Sequence, residues 1–298
     1  MMSSNEPSWD LYGAFLAVMQ QGSLSAAARA LGVAQPTVRR QLERLEAELD
    51  VVLFTRSPNG LTPTELALST LPYAESMASM ARALVRATSA PDVEERGTVR
   101  VGASEIVGAE VLPHILTELL ATHPKLQVEL ALSNKNEDLL RRSVDVAVRM
   151  VRPTQENLLA KRVGKVELGF FASPTYLALR GSPKQFGDLL DGQLLVGPDR
   201  DQSFIEALRQ GGLDVHPRHF ALRTDNQLAQ LAALRVGLGI GVCQVPLARR
   251  APVLQRVLPQ ISFHLEFWVV THEDLKGSAR VRAVFDQLVR RLATYLTP

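Results

Sequence analysis

Gly22-Ser23-Leu24-Ser25-Ala26-Ala27-Ala28-Arg29-Ala30-Leu31-Gly32-Val33-Ala34-Gln35-Pro36-Thr37-Val38-Arg39-Arg40-Gln41-Leu42 is the stretch on which the reading of this chain turns. Gly22 and Gly32 bracket an alanine-rich segment, and glycine is the usual residue where a helix ends in the left-handed conformation. Ser23 or Ser25 can cap the enclosed helix by accepting from a first-turn N–H. Proline costs nothing in a first turn, whose N–H groups have no intrahelical partner, so Gln35-Pro36 opens the next helix. Its buried face is Val38, Leu42, Leu45 and Leu49. Two helices joined by the tight turn Gly32-Val33-Ala34 make a helix-turn-helix. The alanines have a physical reason, since helices crossing steeply over a short turn need small side chains at their closest approach.

The outward face of the third helix carries Gln35, Thr37, Arg39, Arg40 and Arg44. Arginine pairs bidentately with guanine, glutamine with adenine, and threonine or arginine with phosphate, so this face suits DNA. Glu43, Glu46 and Glu48 share the helix, and a merely solvated charged face is the competing reading.

Upstream, Leu11, Tyr12, Phe15, Leu16, Val18 and Met19 recur at helical spacing between Trp9 and Gln21. Downstream, residues Leu53 to Thr62 read as two short strands around Asn59-Gly60, a wing that brings Arg56 toward phosphate. Thr62-Pro63-Thr64-Glu65 reads as a capping box with Thr62 as the cap. A long helix follows from Pro63 to about Thr88, kinked near Pro72. Its apolar stripe, including Leu66, Leu68, Leu71, Met77 and Leu84, is too long for a small domain to bury, so it calls for a partner helix.

Residues 89 to 97 form a polar Pro/Gly linker, and beyond them strands alternate with helices. Strands are expected at Thr98–Ala103, Leu126–Leu132, Val144–Val148, Val166–Ala172, Gln193–Val196, His219–Leu222, Ile240–Cys243 and Ser262–Val270. The helices between and after them are Val107–Ala121, Asn136–Arg142, Gln202–Gln210, Asp225–Arg235 and Ser278–Leu296. This alternation means α/β layers with parallel sheets and ligands near helix N-termini.

Composition agrees with a globular protein of more than one domain. The 298 residues are 46% hydrophobic and 21% charged, enough apolar material for substantial cores. The net charge of +2 neither supports nor excludes DNA binding, because a local basic face can hide in a neutral total. One cysteine, Cys243, leaves no internal disulfide or multi-cysteine zinc site and points to the cytoplasm. No signal-like N-terminus and no long apolar run are present, so neither secretion nor a membrane span is expected.

From Leu11 to Glu65 the chain resembles the LysR-type family of bacterial transcriptional regulators. The match runs without a gap through Phe15, Gly22-Ser23, Ala26-Ala27, Leu31, Val33, Gln35-Pro36, Val38, Arg40-Gln41-Leu42, Leu45-Glu46, Leu49, Leu53-Phe54, Arg56 and Leu61-Thr62. The resemblance implies an α+β multidomain protein with three parts. A winged helix-turn-helix occupies residues 1–62, a dimerising linker helix and hinge 63–97, and a periplasmic-binding-protein-like effector domain 98–298. In that last part, subdomain I covers about 98–166 and 268–298 and subdomain II about 167–267. The candidate DNA-contacting residues are then Ser23, Gln35, Pro36, Thr37, Arg39, Arg40, Arg44 and Arg56. The implied partners are double-stranded operator DNA, further copies of the chain as a dimer or tetramer, a small-molecule effector and RNA polymerase. No catalytic residue, metal or cofactor is implied.

Three positions depart from the family pattern. Arg39 replaces a usual serine, which bears on operator preference. Ala34 replaces a frequent serine or threonine, removing a cap worth about 1 kcal/mol, with Gln35 as the substitute. Asp50 stands where glycine normally ends the helix.

In the resembling family the effector lies between the subdomains. Ser104 follows the first strand of that domain and opens a helix, where its hydroxyl and free N–H groups suit a carboxylate. Ser133 with Asn134, Arg149 and Thr224 complete the candidate ring around an anionic ligand; each hydroxyl also reads as a simple cap, and Arg149 as a partner of Asp145. Cys243, within Gly239-Ile240-Gly241-Val242-Cys243, reads as a buried packing residue. Gly237, Gly239 and Gly241 lack the strand and spacing of a nucleotide fingerprint, so close backbone packing accounts for them. The sequence carries no hydrolase elbow, phosphate loop or metal motif, and its six histidines are scattered. An enzyme would leave the winged helix unexplained, and a solute receptor would need a signal peptide.

Overall fold

The computed structural model describes residues 6–57, 60–88, 95–134, 144–153, 158–210, 212–250 and 254–297. The chain divides into two compact units, one within the first 88 residues and one from residue 95 onward.

In the first unit α1 (Trp9–Gln21), α2 (Leu24–Leu31) and α3 (Gln35–Leu49) surround one core. Phe15, Val18, Val38, Leu42 and Leu45 are buried there with Ala27 and Ala28, the small residues at the crossing of α1, α2 and α3. Gly22 and Gly32 end α1 and α2 at φ of 72° and 67°. Ser23 is the cap of α2, its hydroxyl accepting from the Ala26 N–H at 3.2 Å. No side chain caps α3 at Ala34, so Gln35 does not replace the missing hydroxyl. Asp50 does take the left-handed conformation, at φ 52°.

The wing is a hairpin of β1 (Phe54–Ser57) and β2 (Gly60–Pro63), with Thr55 opposite Thr62 and Arg56 opposite Leu61. Asn59 of the expected turn lies outside the described residues. Helix α4 (Glu65–Thr88) follows and continues through Pro72. Its cap is Thr64, whose hydroxyl accepts from the Ala67 N–H at 3.2 Å, not Thr62. Thr62 and Pro63 are already held in the hairpin by Thr55 and Phe54, so the helix begins two residues later than the motif suggests.

The second unit begins with β3 (Gly97–Ala103), a widened helical turn over Val107–Val111, α5 (Leu112–Thr122), β4 (Leu126–Leu132) and β5 (Val146–Arg149). The helix expected over 136–142 lies outside the described residues. A 15-residue strand β6 (Leu158–Ala172) then leads to α6 (Pro174–Arg180), α7 (Phe186–Leu190), β7 (Leu195–Gly197), α8 (Gln202–Gln210) and β8 (Phe220–Arg223). The chain continues through α9 (Gln227–Arg235), β9 (Gly241–Gln244), α10 (Val245–Arg250), β10 (Gln255–Val257), β11 (Phe263–His272) and α11 (Ala279–Leu296).

The expectation of parallel sheets holds for the small β7–β8 sheet and needs correction for the large one. The large sheet runs β10-β6-β11-β5-β3-β4 with β9 also on β6, and only β3 pairs in parallel, with β4 and β5. The reason is topological. β6 carries the chain out to the second subdomain and β11 brings it back, so these two pair antiparallel from Leu158–His272 to Leu168–Phe263. The proposed subdomain borders at 166 and 267 therefore fall inside continuous strands, with a register shift between Phe267 and Trp268. Half of β6 escaped the sequence reading because Lys161, Arg162 and Lys165 interrupt its apolar pattern.

A core on β3, α5 and α11 includes Leu112, Leu119, Val284 and Leu288; a second, around Tyr176, Leu189, Leu208 and Ile240, fills the inserted subdomain. Gly239 is required by close approach, since a Cβ there would lie 2.2 Å from the Leu194 carbonyl oxygen. That oxygen accepts the Ile240 N–H at 2.8 Å. Among the described residues no helix is long and apolar enough to cross a membrane.

Candidate functional site

The exposed side of the first unit is the face of α3 opposite its buried Val38, Leu42 and Leu45. Gln35, Pro36, Arg39, Arg40 and Arg44 are exposed and Thr37 is half-buried. Arg44 is engaged within the helix, its Nε 2.6 Å from Glu48 Oε1, an exposed ion pair of little energetic weight that a phosphate can replace. Ser23 is exposed and spent on capping α2. Arg56 is placed by the hairpin register, but its side chain lies outside what is described.

Glu46, read from sequence as one more surface charge, has a different job. Its Oε1 accepts the N–H groups of Leu53 at 2.7 Å and Phe54 at 3.0 Å, tying α3 to the start of the wing. Phe54 in turn stacks at a tilt on Phe15, ring centroids 5.9 Å apart. The start of the wing is thus tied to α3 through Glu46 and to α1 through Phe15. No composition signal reveals Glu46, because an acceptor of loop amides and a solvated carboxylate look alike in sequence.

In the second unit a cleft of about 900 Å³, counted to its open mouth, is lined from both subdomains. Ile106, Met150, Leu168, Leu231, Val242 and Leu265 give it an apolar wall. Asp201, Asp225, Gln227, Gln230 and Gln244 supply the polar groups. Cys243 also faces it, yet burial pushes its thiol up to about 12, which keeps the sulfur protonated. Across the cleft the Glu105 carboxylate accepts the Gln227 N–H at the start of α9, at 3.2 Å.

The five effector candidates lie around this cleft rather than on its lining. Ser104 precedes Ile106 by two residues; its hydroxyl oxygen is buried and has no hydrogen-bond partner among the described residues. Asn134 accepts the Glu105 N–H at 3.1 Å, and the Ser133 N–H donates to the Ala103 carbonyl. Arg149 is buried next to Met150 and points Nη1 at the Val148 carbonyl oxygen, 3.4 Å away. Thr224 accepts the Asn226 N–H at 3.2 Å in the turn before α9, whose cap is Asn226 and not Thr224. The missed polar residues are Asp201, Asp225 and the three glutamines, which no motif marks.

A family profile for "Bacterial regulatory helix-turn-helix protein, lysR family" matches residues 9–68, and one for "LysR substrate binding domain" matches residues 93–293. The chain belongs to the LysR family of transcriptional regulators. An HTH-type transcriptional regulator of Xanthomonas campestris is 32% identical over 172 residues, 57% of this chain and 49% of that relative. The HTH-type transcriptional activator TtdR of Escherichia coli K12 is 25% identical over 279 residues, 91% of this chain and 89% of that one. In fold, full-length CbnR complexed with its target DNA is similar, with a TM-score of 0.64 at 22% identity over 95% of this chain and 99% of that chain.

As a LysR-type regulator, the chain pairs its helix-turn-helix with an effector-binding domain, and the two sites described above fall one in each profile. Helix α3 has no side-chain cap at Ala34 and carries Arg39 on its exposed face.

Proposed function

We propose that this LysR-type regulator acts in the cytoplasm as a dimer or dimer of dimers, placing α3 in the major groove of operator DNA. A small organic effector binds the cleft between the α/β subdomains and shifts an existing equilibrium between arrangements of the DNA-binding heads. DNA bending and contact with RNA polymerase change in consequence. The observation that carries this reading is the cleft itself, a concave, mostly apolar site with a few convergent polar groups and, beside it, the Ser104 hydroxyl, which has no partner among the described residues. Self-association rests on α4, where Leu66, Leu68, Tyr73, Met80, Leu84 and Val85 are exposed large apolar side chains on one long helix.

The test is fluorescence anisotropy of the purified chain on the DNA upstream of its own gene, against unrelated DNA, across a salt series. Affinity well above the unrelated control is expected, and equal, weak and steeply salt-dependent binding to both would count against operator recognition. Ser104→Ala is then expected to keep DNA affinity while losing the response to an effector found in that assay; loss of folding instead would make Ser104 a structural cap.

A further inference from the structure

Resting on the cleft reading above, we infer that Gln244 is a specificity-determining residue whose side-chain amide presents an N–H donor to the effector. The effector then carries an acceptor oxygen against this part of the wall, and Tyr295 is the positioning residue that fixes the polarity. Gln244 ends β9 and lines the cleft, with only 5% of its surface exposed. A glutamine can offer either end of its amide, so the partner behind it decides which end faces the ligand. That partner is the Tyr295 hydroxyl on α11, 2.7 Å from Oε1. Tyr295 is 3% exposed, and Gln244 is the one partner of its hydroxyl among the described residues. Burial pushes the phenol up, so the hydroxyl keeps its proton and has to give it to an acceptor. With the amide turned over, that buried proton would face the Nε2 donor and find no acceptor, a costly arrangement. Oε1 therefore faces Tyr295, and Nε2 is left without a partner among the described residues.

The surroundings sharpen the effect. Leu168 stands opposite Gln244 in the β6–β9 pairing and lines the cleft with Leu247 and Leu265. A donor set in an apolar wall is satisfied by an oxygen and left unpaired by a hydrocarbon, so the wall discriminates between the two. Gln230 is oriented the other way. Its Nε2 is committed to the Thr224 carbonyl oxygen at 2.6 Å, which leaves Oε1 as the free end of that amide. Two glutamines that the sequence writes alike thus offer the ligand opposite ends. A neutral carbonyl and a carboxylate both supply the acceptor that Gln244 requires, and the experiment separates them.

The experiment uses the full chain and matched probes in which cyclohexyl and phenyl bodies each carry one of four heads. These are a methyl ketone, a carboxylate, the isopropenyl group that copies the ketone without its oxygen, and a 1-aminoethyl group as an ammonium donor. Affinities are read by saturation-transfer NMR and thermal shift, with Leu231→Trp as the cleft-filling variant. Leu265→Trp, at a partly exposed wall position, takes its place if circular dichroism shows the first to be unfolded. Gln244→Met keeps an unbranched chain of similar length and should lower the ketone-to-isopropenyl affinity ratio roughly three- to tenfold. The double variant Gln244→Met with Tyr295→Phe, which removes both ends of the buried hydrogen bond, serves if the single one is unfolded. Tyr295→Phe keeps the ring beside Phe267, centroids 6.4 Å apart, and under the Arg250 guanidinium at 4.8 Å. It frees the Gln244 amide to turn, so the ketone-to-ammonium ratio should fall by a similar factor, a change that a merely structural tyrosine would not produce. If only the carboxylate responds to Gln244→Met, the acceptor is an ionised oxygen; if the ketone responds, a neutral one suffices, and either result supports the contact. Neither acceptor responding, while the filled cleft abolishes binding, would overturn the inference and leave the cleft as the effector site. An unchanged ketone-to-ammonium ratio in Tyr295→Phe would overturn the positioning role. Binding of no probe, or binding unaffected by the filled cleft, would overturn the cleft reading and this inference with it.

Discussion

Arg235 on α9 forks onto Glu110 in the widened turn after β3, with Nη1 2.8 Å from Oε1 and Nη2 2.7 Å from Oε2. The two residues lie 125 positions apart in the chain and belong to opposite sides of the cleft. With the Glu105–Gln227 contact at the other end of α9, the pair latches that helix to the first subdomain at both its termini. Closure of the cleft therefore has two specific, polar holding points.

Glu110→Gln is expected to lower the stability of the effector unit by about 1 kcal/mol, between the value of a surface pair and that of a broken buried one. The hydrogen bonds from Arg235 outweigh burial and hold the Glu110 carboxyl below its ordinary 4.5. A depressed carboxyl pKa contributes stability that is complete above the ordinary value and is lost as pH falls through the folded-state value. Thermal melts of wild type and variant should therefore differ at neutral pH and converge in acid. A difference unchanged down to strongly acidic pH would rule out the ion pair as its source.

Glu46→Ala removes the acceptor of two wing amides and should cost about 1–3 kcal/mol in the DNA-binding unit. DNA affinity should fall with it, because the wing loses its fixed position beside α3. Hydrogen exchange at the amides of Leu53 and Phe54 is the direct check, and unchanged protection there would refute the role.

Arg40→Ala should weaken binding to every DNA sequence and reduce the salt slope by about one unit if Arg40 meets phosphate. Arg39→Ala should instead change which operators are preferred. Unchanged anisotropy curves for both would displace the recognition face from this side of α3.

Cys243 should be inert in the native chain. With its thiol pushed up to about 12 by burial, reaction with a disulfide reagent near pH 8 should be slow until the protein is unfolded. Fast native labelling would show that the cleft opens far enough to expose the sulfur.

Gly239→Ala should destabilise the inserted subdomain by about 1–3 kcal/mol, since the added Cβ would crowd the Leu194 carbonyl oxygen that Ile240 needs. Equal melting temperatures of variant and wild type would mean that the β7–β9 region yields freely.

The DNA-binding half was written in local chemistry. Gly22 and Gly32 stop helices because of backbone sterics, Ser23 caps through its own hydroxyl, and the leucine stripe of α3 follows from helical periodicity, so each was readable within a few residues. The strand-helix alternation after residue 97 was readable for the same reason, and family resemblance supplied the arrangement of domains. Tertiary structure alone decided the rest. The cap of α4 moved from Thr62 to Thr64 because the hairpin claimed Thr62 first. The sheet became mixed because the chain crosses between subdomains in opposite directions on β6 and β11. The polar character of the cleft depends on which lone pairs and N–H groups remain after Asp225, Glu105 and Tyr295 have taken theirs. Those partners come from segments dozens to more than a hundred residues apart, and no local pattern can reveal a hydrogen bond formed over such a distance.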